Sequence, residues 1–163
     1  MYHLVAVMVA LAVFAVLPCV ASAADTSFGG NSYSSGHAGS TTYWGSSQQV
    51  GNTTYYGGYI GSTRFSSSSE QVGGSIYDNG YIGSTPCSGT SVRIGNSIYN
   101  HGYIGSTPYS GTVMQAGGSA YYSGYIGSTR FSGTSQRVGS SIYDNGYVGS
   151  IPYSGTIHAA WAR

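Results

Sequence analysis

The residues able to do chemistry are few and scattered. Past the apolar N-terminus the histidines are His37, His101 and His158, and the carboxylates are Asp25, Glu70, Asp78 and Asp144. The histidines lie far apart and occupy different points of a repeating pattern. A metal-ligand set shows convergent spacing, and this set does not, so no metal site is expected. Asp78 and Asp144 stand at the same point of the pattern, each followed by Asn-Gly. The simplest work for such an Asp is to hydrogen-bond the backbone of its own turn. Paired-carboxylate catalysis needs a defined separation of a few ångströms, which no spacing here dictates. Serine is abundant, but no Gly-x-Ser-x-Gly elbow with partner Asp and His stands out. The Gly-Ser-Thr steps at 61–63, 83–85, 105–107 and 127–129 lack the Gly-Lys-Ser/Thr of a phosphate loop. No catalytic residue, metal or cofactor is expected, and the chain reads as not an enzyme.

The tyrosines carry the strongest suggestion of function. They recur as Tyr55/Tyr59, Tyr77/Tyr81, Tyr99/Tyr103, Tyr121/Tyr125 and Tyr143/Tyr147. Tyr77, Tyr81, Tyr99, Tyr103, Tyr121, Tyr125, Tyr143 and Tyr147 form the candidate binding face, a ladder or ring of hydroxyl-tipped aromatics. Tyrosine offers large contact area at small entropic cost, with a polar tip. A glycan, a peptide, an envelope component or a second copy of the chain are the partners such a surface suits. The plainer alternative is that the rings only shield short strands.

These tyrosines are placed by a repeat. Isoleucine or valine followed by Gly-Ser recurs at Ile60, Ile82, Ile104, Ile126 and Val148, each 22 positions after the last. The copies run 28–49, 50–71, 72–93, 94–115, 116–137 and 138–159. The first is degraded, with His37 and Ala38 in place of the Tyr-Ile pair, and the last runs out into Ala159, Ala160 and Trp161. Atypical terminal copies are expected of a repeat array.

Within a copy the local logic is β. Asp78-Asn79-Gly80 reads as a three-residue hairpin loop, closed by Gly80 in the left-handed region. That loop sets Tyr77 across from Tyr81, and Ile76 across from Ile82 on the other side of the ribbon. Thr107-Pro108-Tyr109-Ser110-Gly111-Thr112 reads as a second turn. A lone hairpin is marginal, so its aliphatic face (Val72, Ile76 and Ile82 in one copy) must be covered by other copies. The expectation is an all-β domain over 24–163, with six hairpin repeats in a closed radial body. A solenoid or meander is the rival. Closure removes exposed edges, which a chain with so little charge must manage.

The repeat resembles the bacterial "beta-flower" proteins, secreted or envelope proteins of short copies written roughly Tyr-Asp-x-x-Gly-x-x-Ile-Gly. The matching stretches are Tyr77-Asp78-Asn79-Gly80-Tyr81-Ile82-Gly83 and Tyr143-Asp144-Asn145-Gly146-Tyr147-Val148-Gly149. Tyr99-Asn100-His101-Gly102-Tyr103-Ile104-Gly105 is a looser third. All three set Gly one residue, and the following Ile or Val two residues, closer to the Tyr than the family pattern does. The likeness covers residues 50–155. It implies a flower- or propeller-like body and brings no catalytic residues.

The rest of the chain sets the context. Leu4 to Leu17 is an uncharged apolar run and Ala21-Ser22-Ala23 a small-residue cleavage site, so 1–23 reads as a secretory signal peptide. The mature protein is then expected to be secreted, periplasmic or at the cell surface, with no membrane span. Pro18 before Cys19 argues against a lipoprotein signal. Cys87 is left alone, in the slot that Tyr109, Phe131 and Tyr153 fill elsewhere; it reads as a half-buried stand-in for an aromatic, with an intermolecular bridge as the sharper option. Charged residues are 6% of the chain, with no Lys, so a nucleic-acid groove is not expected. Leucine is absent after the signal, which disfavours a helix-packed core. A self-assembling matrix or amyloid-like fibre is the main rival function; frequent glycines count against cross-β stacking.

Overall fold

The computed structural model describes residues 31–160. The signal-peptide reading over 1–23 lies outside them. The chain forms twelve strands in sequence order. They are β1 (Asn31–Ala38), β2 (Thr41–Val50), β3 (Thr53–Ile60), β4 (Thr63–Val72), β5 (Ser75–Ile82) and β6 (Thr85–Ile94), then β7 (Ser97–Ile104), β8 (Thr107–Ala116), β9 (Ser119–Ile126), β10 (Thr129–Val138), β11 (Ser141–Val148) and β12 (Ile151–Ala160). Each pairs antiparallel with its sequence neighbours, and β12 pairs with β1 to close a single barrel. The chain is all-β and built of hairpins. The expected radial flower- or propeller-like body is corrected: one continuous sheet curls on itself, so the resemblance to beta-flower proteins does not extend to the fold.

The turns differ from those expected. Each is a two-residue step opened by a glycine at positive φ, such as Gly73 (φ 61°), Gly83 (φ 58°) and Gly149 (φ 59°). Among the described residues no other residue type has positive φ, which is the pattern of a type II′ hairpin turn. One rim carries Gly-Ser steps throughout, and the other Gly51-Asn52, Gly73-Gly74, Gly95-Asn96, Gly117-Gly118 and Gly139-Ser140. Neighbouring hairpins are stitched at the rims, where Gly83 N–H donates to the Arg64 carbonyl at 2.7 Å and Gly127 N–H to the Pro108 carbonyl at 2.8 Å.

Asp78-Asn79-Gly80 therefore lies inside β5, and the Pro108 segment inside β8. Tyr77 faces Glu70 and Thr90 on the flanking strands, not Tyr81. The physical reason is period two. Ile76, Asp78, Gly80 and Ile82 alternate with Tyr77, Asn79 and Tyr81 without a break, and an unbroken alternation is a strand. Ile76 and Ile82 do share the inner face, opposite the tyrosines. Val72 does not belong with them: it ends β4, points outward and is 55% exposed.

The register sets the barrel's shape. Ser35 lies opposite Trp44, and Trp44 opposite Tyr59. The repeat equivalent of Ser35 is Gly57, two residues earlier, so each hairpin slips the register by two. Six hairpins give a total stagger equal to the strand number. That ratio is shared with an eight-stranded barrel of shear eight, whose strands tilt about 36°.

The inner wall is layered. Ala38, Ile60, Ile82, Ile104, Ile126 and Val148 form an aliphatic ring near one rim, all buried. Next come the rings of Tyr43, Phe65, Tyr109, Phe131 and Tyr153, each worth roughly 1.5–3 kcal/mol when fully buried. Each ring lies over a cross-strand glycine pair. A Cβ on Gly124 would sit 2.6 Å from Phe131 Cζ, and one on Gly102 2.7 Å from Tyr109 Cε1. Phe65 covers Gly45 and Gly58, Tyr153 covers Gly133 and Gly146, and Tyr43 covers Gly36 and Gly155 in the same way. The sixth station is the exception. There the ring is replaced by Cys87, and its pair is Ser67 with Gly80. A Cβ on Gly80 would meet first the Ser66 carbonyl and then Ser67 Cβ at 2.5 Å, where at the other stations it would meet a ring. Cys87 is half-buried at an inward position, with its thiol 3.7 Å from the Thr85 carbonyl. It stands in for an aromatic, and its setting does not favour a bridge to another chain.

Candidate functional site

The predicted tyrosines all stand on the outer wall. Tyr77, Tyr99, Tyr121 and Tyr143 fall in one girdle; Tyr81, Tyr103, Tyr125 and Tyr147 fall in another. All eight are exposed. Tyr33 and Tyr55 extend the first girdle and Tyr59 the second. Two tyrosines of one strand are four residues apart, about 13 Å. The structure therefore does not bring Tyr77 onto Tyr81. What it brings together are rows across strands. Tyr55 lies beside Ser68, then Asn79, Ser88 and Tyr103. The row from Tyr99 likewise runs through Thr112, Ser123 and Ser132 to Tyr147, and that from Tyr77 through Thr90, His101 and Ser110 to Tyr125.

One stretch departs from this regularity. The row starting at Tyr143 runs through Thr156 and Ser35 to Trp44 and Tyr59. Trp44 occupies a position that is Ser66, Ser88, Ser110, Ser132 or Ser154 in other copies. Its ring stacks on Tyr59 at 5.1 Å between centroids, tilted by 30°. The adjacent row runs Asn145, Ser154, His37, Thr42. His37 takes the place of a girdle tyrosine, which leaves a gap. Tyr143, Thr156 and Ser35 of the first row and Asn145, Ser154, His37 and Thr42 of the second, with the glycine pair Gly36 and Gly155 between them, line a groove of about 550 Å³, and Trp44 stands just beyond Ser35. It runs across β11, β12, β1 and β2, over the seam where the chain's first and last strands close the barrel.

A second cluster lies on the inner wall. Asp144 is 5% exposed and accepts a hydrogen bond from Ser135 Oγ. Its Oδ2 has no hydrogen-bond partner. Burial pushes its carboxyl up to about 6, against the Ser135 bond that lowers it. Tyr153 donates to the Tyr122 hydroxyl, and their rings stack 6.3 Å apart. Burial, and then the nearby Asp144 charge, raise the Tyr43 and Tyr122 phenols above the ordinary tyrosine range. Asp78 repeats the arrangement with Ser69 as donor, and burial raises it too.

Both aspartates were expected in turns, bonding their own backbone. They instead point inward from mid-strand to a serine on the neighbouring strand. The signal that could have found this is their parity: Asp78 shares the face of Ile76 and Ile82. The histidines stand on β1, β7 and β12. His37 and His101 are exposed on the outer wall, and His158 bonds Ser141 Oγ at 2.9 Å. Among the described residues no group of three or more His, Cys, Asp or Glu could hold a metal ion.

Comparison with protein-family models, with curated proteins and with solved structures finds no match to this chain.

Proposed function

We propose that this barrel is a non-catalytic binding module, working outside the cytoplasm, that engages its ligand through the outer wall. The observation that carries the reading is that wall's composition. Two girdles of exposed tyrosines flank a belt of Ser, Thr, Asn and Gly. Rings that stack and hydroxyls that bond, on a rigid sheet, suit a polyhydroxylated ligand such as a glycan.

The same wall weighs against other partners. A membrane-spanning barrel has an apolar band between its aromatic girdles, and here the belt between the girdles is hydroxyl-rich, while the exposed aliphatics Val50, Val72, Ile94 and Val138 stand at strand ends on one rim. An amyloid-like fibre needs free strand edges, and closure leaves none. A nucleic-acid groove needs a basic stripe, and the arginines are few and dispersed.

The test is retention of the folded mature chain on insoluble cellulose and chitin, with the supernatant assayed for released sugar. Retention without release is the expected result. Replacing the eight girdle tyrosines from Tyr77 to Tyr147 by Ser should abolish it. Released sugar, or retention that survives those replacements, would overturn the proposal.

A further inference from the structure

At the seam the repeat is broken on the outer wall in a way that makes a concavity. Five copies place a tyrosine at the position of His37, and five place a serine at that of Trp44. The exchange removes a ring over the seam and adds one beside it. Tyr143 lines one end of the groove and Ser35 lies toward the other, and Trp44, stacked on Tyr59, is the next residue of that row beyond Ser35. Tyr143 and Trp44 lie three strands apart in one row, about 14 Å along the sheet. Between them and in the next row stand Asn145, Ser154 and His37, all able to donate or accept hydrogen bonds.

From this we infer that the seam groove is a binding subsite for a short run of neutral saccharide units, held by pyranose faces on the Trp44–Tyr59 pair and on Tyr143. The inference rests on the reading of the outer wall as the binding surface and adds where and what. The groove's lining contains no Arg or Lys, and the carboxyl of Asp144 borders its glycine floor. Phosphorylated, sulfated and uronate ligands would meet no fixed cation there, so the ligand is a neutral one. A bent row of hydroxyls and amides between two aromatic platforms matches a sugar chain better than an apolar peptide, which would leave those groups unpaired.

The repeat supplies variants whose folding is not in question, because other copies already carry the residues. His37→Tyr fills the gap and Trp44→Ser removes the added ring. The experiment is calorimetric titration of the folded chain with cellohexaose, chitohexaose, xylohexaose and mannohexaose. Binding of at least one hexaose is expected, weakened at least tenfold by Trp44→Ser or His37→Tyr and less than twofold by Tyr81→Ser or Tyr103→Ser on the rest of the wall. If wild type is retained on polysaccharide but Trp44→Ser and His37→Tyr bind as wild type does, the seam inference falls and the wall reading stands. If a polygalacturonate oligomer binds more tightly than every neutral hexaose, the ligand class is wrong. If wild type neither titrates nor is retained on cellulose or chitin, both proposals fall.

Discussion

Strands β5 and β11 carry the same seven residues, Ser-Ile-Tyr-Asp-Asn-Gly-Tyr, and take the same local structure. Their inner faces nevertheless live in different surroundings. Ile142 and Asp144 on β11 are almost wholly buried, whereas Ile76 and Asp78 on β5 are only partly so. The difference comes from other strands. Beside β11 stands Tyr153, stacked with Tyr122, over the glycines 133 and 146. Beside β5 the corresponding places hold Cys87 and Ser67. Local sequence fixes that a segment is a strand and which residues face inward. How dry the inner face becomes depends on the rings contributed from elsewhere.

The strongest way to break the contrast is to strip the dry side. Tyr153→Ala should cost about 3–5 kcal/mol in urea denaturation, while Cys87→Ala on the loose side should cost about 1 kcal/mol or less. A subtler break uses charge. The Asp144 carboxyl is raised in the fold from 3.8 to about 6, so the folded state holds its proton more tightly than the unfolded one. Stability from this group is then fully present below about pH 4 and is lost as the pH rises through 6. Melting temperature should rise on acidification across that window. Asp144→Asn should stabilise the protein at pH 7 by roughly 2 kcal/mol and flatten the profile. Asn100, buried at the equivalent point of β7, shows the substitution is already accommodated. Asp78→Asn should shift stability in the same direction and by less.

The comparison can also be sharpened by completing the loose side. Cys87→Tyr alone drives a ring toward the Ser67 side chain and should destabilise. Combined with Ser67→Gly it restores the ring-over-glycine station, and the double variant should exceed wild type by about 1–2 kcal/mol, a coupling that a double-mutant cycle reads directly. The smallest effect belongs outside the barrel: Tyr77→Ser should leave denaturation within about 0.5 kcal/mol of wild type, since its ring is exposed.

Much of this was legible in the chain. The 22-residue period, the hairpin character and the split between aliphatic and tyrosine faces all follow from spacing and parity. The turns were misread because Asp-Asn-Gly and Pro-Tyr-Ser-Gly look like loop signals, yet Gly80 and Gly111 serve packing. Gly111 leaves room for Phe131 and Gly80 for the backbone of β4, while the turn glycines are those of the Gly-Ser, Gly-Gly and Gly-Asn steps. Nothing local distinguishes a glycine needed for its φ from one needed for its missing Cβ. Closure was expected from the lack of charged edges, but its form was beyond local reading, because a flower and a barrel use the same hairpin. The seam groove depends on β12 meeting β1, a contact between the most distant parts of the described chain. The degraded first copy was visible as an irregularity, but its place beside the last copy was not.

The two-residue slip built into every hairpin has a consequence for how such a protein could grow. Because stagger is carried by the unit, adding or removing one copy changes strand number and total stagger in equal proportion. Tilt would stay near 36° while the girth steps up or down. Gene duplication within this chain thus acts as a ratchet on lumen width alone, and the inner rings are what must then be resized to fill or open the space.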